Sequence, residues 1–215
     1  MKLRQQGLEG RPWLADACAV RRHLVVLAAL ACVLVVATPA GAWRTSGHYW
    51  PSKTIGYVNL SKNYDWSVQW AAYVWNASGA DIRFVPTTRD RAQLVISAKP
   101  IPANAPEAGI EQSTVVQGDG RIVSAIIWLK AGISPYEAAL VATHEFGHAL
   151  GLDHEDRGCA VMNSELLIDH PFKCRPPAAG KWWCQLLTVD DIKGAVRIYG
   201  GKVKDPQRPN CARTR

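Results

Sequence analysis

Residues 144–154, HEFGHALGLDH, place three histidines, a glutamate and a glycine at spacings that suit one metal ion. His144 and His148 stand four apart, so on one helix their imidazoles project to the same side about a turn apart. Glu145 lies beside them, able to deprotonate a metal-bound water without taking a ligand place. Catalytic zinc usually has three protein ligands and one open position. Gly151 lets the chain leave the helix in a conformation other residues resist, and His154 follows three positions later as the third ligand. One Zn2+ held this way lowers its water's pKa to about 7 and polarises a carbonyl. The chemistry implied is amide hydrolysis, with Glu145 as the base. His48 and His170 have no such company and read as ordinary surface residues. Asp153, Glu155 and Asp156 read as hydrogen-bonding neighbours of a ligand histidine rather than as a fourth ligand.

A bare HExxH arises by chance in many helices, so the element carrying it matters. SPYEAALVATHEFGHALG has Ser134 as N-cap, Pro135 at the first helical position and Glu137 to complete a capping box. Leu140, Val141, His144, His148 and Ala149 keep helical spacing, and Gly151 terminates the helix. A second capped helix, TVDDIKGAVRIYGG, runs from Thr188 to the Gly200-Gly201 pair. Upstream, TIGYVNL (54–60) has strand composition with Ile55 and Tyr57 on one face. Asp65 is placed to cap a helix through about Ala77, whose stripe of Trp66, Trp70, Tyr73, Val74 and Ala77 reads as core. Strands follow at DIRFVP and AQLVISA, and then IEQSTVV and RIVSAIIWLK flank QGDG, a hairpin turn. That order predicts an α+β fold, a mixed sheet with helices on one face. Residues 152–187 show no periodicity and hold three cysteines; a loop of that length in a compact domain is usually functional.

Composition bounds the setting. The chain has 215 residues, 48% hydrophobic, enough for one ordinary domain with a packed core. Arg21 and Arg22 precede the apolar run LVVLAALACVLVVAT, too short to be read as a membrane span. PAGA then supplies an A-x-A cleavage site at Ala40 and Ala42. Residues 1–42 therefore read as a secretory signal peptide cut before Trp43, leaving 43–215 as an exported domain with a short basic tail and no stable membrane association. The net charge of +7 falls to +4 without that segment and is scattered, which argues against nucleic acid as a partner. Cys159, Cys174, Cys184 and Cys211 remain, an even number that predicts two disulfides with three pairings open.

The extended motif, followed at short distance by CAVMNS with Met162, resembles the metzincin metalloproteases and their methionine-containing turn. Within them the chain looks most like a matrixin catalytic domain. WPSKTIGYVNL is similar to that family's opening strand, AAYVWNASGADIRFVP to its first helix and second strand, and LLTVDDIKGAVRIYG to its closing helix. The resemblance implies a twisted five-stranded sheet with three helices and zinc in a cleft. It implies that His144, His148 and His154 bind zinc, that Glu145 is the general base and that Met162 underlies the metal. It also implies an extended peptide pairing with an edge strand, matched here to IEQSTVV with Thr114, Val115 and Val116. A trimmed N-terminus would dock on Asp190 or Asp191 of the closing helix. The chain departs from animal matrixins in three ways. The matrixin-like region starts within ten residues of the cleavage site, without a propeptide between. The loop before RIVSAIIWLK lacks the His and Asp residues of a second, structural zinc, and a Ca2+ site there would rest on Asp119 alone. The four cysteines are additional. The combination looks like a compact, exported, monomeric bacterial relative acting on protein or peptide substrates. A non-catalytic zinc-binding or adhesion module on the same fold is the competing reading, and Glu145, which such a module would not need, weighs against it. A peptidase confined to short peptides or wall crosslinks would differ only in cleft shape.

Overall fold

A computed structural model describes residues 43–101, 108–157, 160–164 and 186–204. The predicted signal segment and all four of Cys159, Cys174, Cys184 and Cys211 lie outside them, as does His170.

In chain order the elements are β1 (Arg44–Thr45), β2 (Thr54–Asn59), α1 (Asp65–Ala77), β3 (Arg83–Pro86), β4 (Leu94–Lys99), β5 (Gly109–Val115), β6 (Ile122–Lys130), α2 (Pro135–Ala149), β7 (Leu152–Asp153) and α3 (Val189–Tyr199). Five strands form one mixed sheet in the order β3-β2-β4-β6-β5. Four run parallel, and β5 pairs antiparallel with β6 to make one edge. With three helices this is the α+β fold expected of the sequence. One face of the sheet, carrying Ile55, Tyr57, Phe84, Leu94, Ile96, Ile127 and Leu129, is buried against the helices. The opposite face leaves Val85 and Ile126 exposed, the period-2 alternation of a sheet covered on one side. No helix among the described residues is long and apolar enough to cross a membrane.

Helix α1 differs from its sequence reading in two respects. Tyr64, with no side-chain cap bond, occupies the N-cap position, and Asp65 sits in the first turn, where a carboxylate complements the helix dipole. Its side chain accepts from Asn59 Nδ2 at 2.7 Å. The buried face is also rotated from the expected aromatic stripe. Trp66 and Tyr73 are 38% and 45% exposed, while Val68, Ala71, Ala72 and Trp75 are buried with Trp70 and Val74. The small Ala71 and Ala72 allow close helix packing, and Trp75 fills the space beyond while donating its indole N–H to Thr143 O at 2.9 Å. Trp66 instead packs edge-on against Tyr136, and Tyr73 stacks on Trp70.

Helix α2 starts as read: Ser134 accepts from the Glu137 N–H at 3.2 Å with Pro135 in the first turn. The full reciprocal capping box stands at α3, between Thr188 and Asp191. The C-terminus of α2 is fastened by three long-range donors. Trp50 Nε1 reaches Ala149 O at 2.6 Å, the Tyr199 hydroxyl reaches Leu150 O at 2.9 Å, and Ser46 N reaches Gly151 O at 2.9 Å. These satisfy carbonyls that a helix end leaves open. Gly151 has φ +87°, and a Cβ there would lie 2.0 Å from His48 O. Its glycine is thus required by backbone conformation and by the close passage of the N-terminal segment, which pairs as β1 with β7.

Candidate metal centre

His144 and His148 project from the last turns of α2, and β7 carries the chain back so that His154 faces them. Their Nε2 atoms form a triangle with sides 3.0 Å (144–148), 3.1 Å (148–154) and 3.3 Å (144–154). A tetrahedral zinc with Zn–N bonds of about 2.0–2.1 Å requires N···N separations of about 3.3 Å. The second ring nitrogens of two of the histidines are occupied by backbone carbonyls. His144 Nδ1 meets Val161 O at 2.6 Å and His148 Nδ1 meets Leu152 O at 3.0 Å. A carbonyl can only accept, so each Nδ1 carries the proton and each Nε2 points a lone pair into the triangle. Burial pushes the His144 pKa down to about 3, with His148 beside it adding to the shift, and burial also lowers His148. Both are neutral near pH 7. Converging neutral lone pairs repel one another unless a cation lies between them, so the donor set fits zinc. Among the described residues these three histidines are the one group of three or more side chains so disposed.

The ligand helix is held from below by the turn at residues 160–163. Met162 is buried, and a Cβ on Gly147 would stand 2.3 Å from its sulfur. The glycine between Phe146 and His148 is therefore the space into which Met162 packs. The turn is in turn clamped by Asp191 of α3, which accepts from Val161 N and Met162 N, both at 3.1 Å, and from Thr188 N at 2.8 Å. Since Val161 O holds His144, the α3 carboxylate reaches that imidazole through two hydrogen bonds. The resemblance offers Asp190 or Asp191 as a dock for the N-terminus; this clamp by Asp191 is a separate role, signalled in sequence only by the Thr188-x-x-Asp191 capping pattern. Asp190, beside it, is half-buried. Asp119 is engaged by Arg121 through backbone and guanidinium.

Glu145 is buried, with its carboxylate against the start of β5. A Cβ on Gly109 would lie 2.6 Å from its Oε1, so the backbone at the start of that strand runs directly beside the carboxylate. Burial pushes the Glu145 pKa up to about 8; the Glu111 carboxylate adds to the shift and the Glu111 N–H opposes it. Burial likewise raises Glu111, countered by the Ser113 hydroxyl that donates to it. Gly109 and Glu111 were not singled out from sequence, because only the strand register brings them to α2. Thr114, Val115 and Val116 are not brought to the histidines. Thr114 lies five residues beyond Gly109, about 17 Å along an extended strand, at the hairpin end where β5 is irregular.

The matrixin family profile matches residues 40–200. Human matrix metalloproteinase-27 is 39% identical over 82 residues, 38% of this chain and 14% of that protein. Rat macrophage metalloelastase is 33% identical over 95 residues, 44% of the chain and 18% of the relative. Human matrix metalloproteinase-20 is 26% identical over 162 residues, 68% and 31% respectively. The chain thus spans less than a third of the length of these relatives. With the profile covering both the sheet and the histidine triangle, the chain belongs to the matrixin family of zinc metallopeptidases.

Proposed function

We propose that this protein is an exported zinc endopeptidase, with residues 1–42 as its signal peptide and residues 43–215 as a monomeric catalytic domain. The observation that carries the reading is the triangle of Nε2 lone pairs, fixed by Nδ1 donation to Val161 O and Leu152 O. His144, His148 and His154 would hold one Zn2+, which when bound polarises the scissile carbonyl and acidifies a water. Glu145 takes the proton of the attacking water and returns it to the departing amine nitrogen. A carboxyl whose pKa burial has raised to about 8 is a stronger base than a solvated glutamate and can hold a proton long enough to return it. The free edge of β5 supports an extended peptide by backbone pairing with little regard to side chains. Extracellular protein or peptide is the proposed substrate class, and two disulfides among Cys159, Cys174, Cys184 and Cys211 accompany export.

The test is to incubate protein beginning at Trp43 with a random peptide library, with and without a chelator. Internal cleavage that chelation abolishes and zinc restores is expected. Zinc binding at one ion per chain without cleavage of any peptide would leave the non-catalytic module instead.

A further inference from the structure

The pairing of β5 with β6 determines which backbone groups face the cleft. Lys130 N donates to Ala108 O at 2.8 Å, and Gly109 stands opposite Leu129. In an antiparallel ladder bonded and non-bonded pairs alternate. Ile110, Gln112 and Thr114 therefore turn their N–H and C=O groups to β6, while Gly109, Glu111 and Ser113 turn theirs to the free edge. Gly109, of the same parity, lies against Glu145, where a Cβ would stand 2.6 Å from Oε1. Glu111 also stands opposite Ile127, which is fully buried on the helix-covered face. Facing residues share a face, so the Glu111 side chain leaves the strand toward α2 and the cleft, level with the catalytic glutamate.

We propose that Glu111 is a specificity residue that selects a lysine or arginine side chain in the substrate residue flanking the scissile bond. This rests on the endopeptidase reading. Glu111 is half-buried on the strand that packs against Glu145, and among the described residues no ion pair includes it. Its neighbour Ser113 supplies one hydroxyl and no charge. A desolvated carboxylate is costly until a cation joins it, so an ammonium or guanidinium arriving with the substrate gains what an aliphatic side chain would forfeit. Because Gly109, two residues before Glu111, packs directly against the base, the peptide residue that Glu111 faces is one adjoining the bond that base attacks. Discrimination then comes from the unfavourable burial of Glu111 against apolar or acidic residues as much as from attraction to basic ones.

The experiment uses zinc-loaded protein and matched peptides differing only at the residues flanking the cleaved bond, as Lys, Arg, Leu or Glu. Cleavage is measured as kcat/KM, and binding is measured separately by fluorescence anisotropy in a Glu145→Gln background. Wild type should prefer Lys or Arg over Leu by at least about tenfold, in cleavage and in Kd. Glu111→Gln should collapse both ratios to near unity, and Glu111→Lys should reverse the preference toward Glu. Each variant is first shown to keep its zinc content and melting temperature. Cleavage by wild type with Lys-to-Leu ratios that Glu111→Gln leaves unchanged would overturn this inference and leave the endopeptidase reading standing. A shift in pH profile without change in the ratios would also overturn it, making Glu111 a modulator of Glu145 only. Neither cleavage nor binding of any peptide would overturn both.

Discussion

At the scale of single residues, the two sides of the metal centre are separable by substitution. Glu145→Gln keeps the shape of the side chain and one acceptor oxygen, but removes the base. General-base assistance contributes roughly 10²–10⁴-fold, so kcat should fall by at least about that factor while zinc content and melting temperature hold. Wild-type turnover in that variant would remove Glu145 from the mechanism. His154→Ala tests the other side. With two ligands left on one helix, the open edge of the triangle has no third donor, and zinc measured after dialysis should drop well below one per chain. Retention of stoichiometric zinc would show that another residue completes the site. The convergence of the three histidines was legible in the sequence because HExxHxxGxxH encodes residue types and helical spacing together. The support beneath them was not. Met162 and Gly147 meet only because the turn at 160–163 folds under α2, and Asp191 lies 47 positions from His144 while fixing the carbonyl that orients it.

At the scale of elements, the helices with caps and glycine stops were read to within a residue or two, since those signals are local. Features depending on register or on two-residue pairings were not. β1 and β7 carry no periodicity, and nothing local marks Trp75 as buried and Trp66 as half-exposed in α1. The edge strand shows the consequence for experiment. Thr114 faces β6, opposite Ser124, so Thr114→Pro removes a ladder donor and should lower the melting temperature. Ser113→Pro removes an outward N–H instead, and should weaken cleavage of long peptides with a smaller loss of stability. The reverse order of effects would place the substrate-pairing face elsewhere. Between elements, Asp191→Ala would leave Val161 N, Met162 N and Thr188 N without their common acceptor in a buried site. An unsatisfied buried donor costs about 1–3 kcal/mol, so about 3 kcal/mol or more of stability should be lost. Supporting bonds to metal ligands typically contribute 10–100-fold to affinity, and zinc affinity should fall by about that factor. Loss of stability with unchanged zinc affinity would mean that His144 keeps its orientation without the clamp.

At the scale of the whole molecule, the segment that follows the predicted signal cleavage is built into the structure that positions the histidines. β1 pairs with β7 immediately before His154, and His48 O passes within 2.0 Å of where a Gly151 side chain would begin. Trp43 reaches α3: a Cβ on Gly194 would lie 3.2 Å from Trp43 Cβ and 2.7 Å from Leu152 Cδ2. Cleavage before Trp43 would therefore create an α-ammonium close to α3. Asp191 is committed to the turn beneath the metal, so an ammonium contact falls to Asp190, in the first turn of α3, where the helix dipole already favours a negative charge. Protein beginning at Trp43 is expected to melt higher than protein carrying two extra residues before it, because the extension displaces the charge from the helix. The difference should shrink in Asp190→Asn and at high salt, as an electrostatic contact requires. Zinc affinity should follow the same order, since β1 braces the strand that delivers His154. Equal melting temperature and equal zinc affinity for the two lengths would show that the new N-terminus makes no contact that the centre feels, leaving Trp43 and the β1–β7 ladder as the whole of the N-terminal brace.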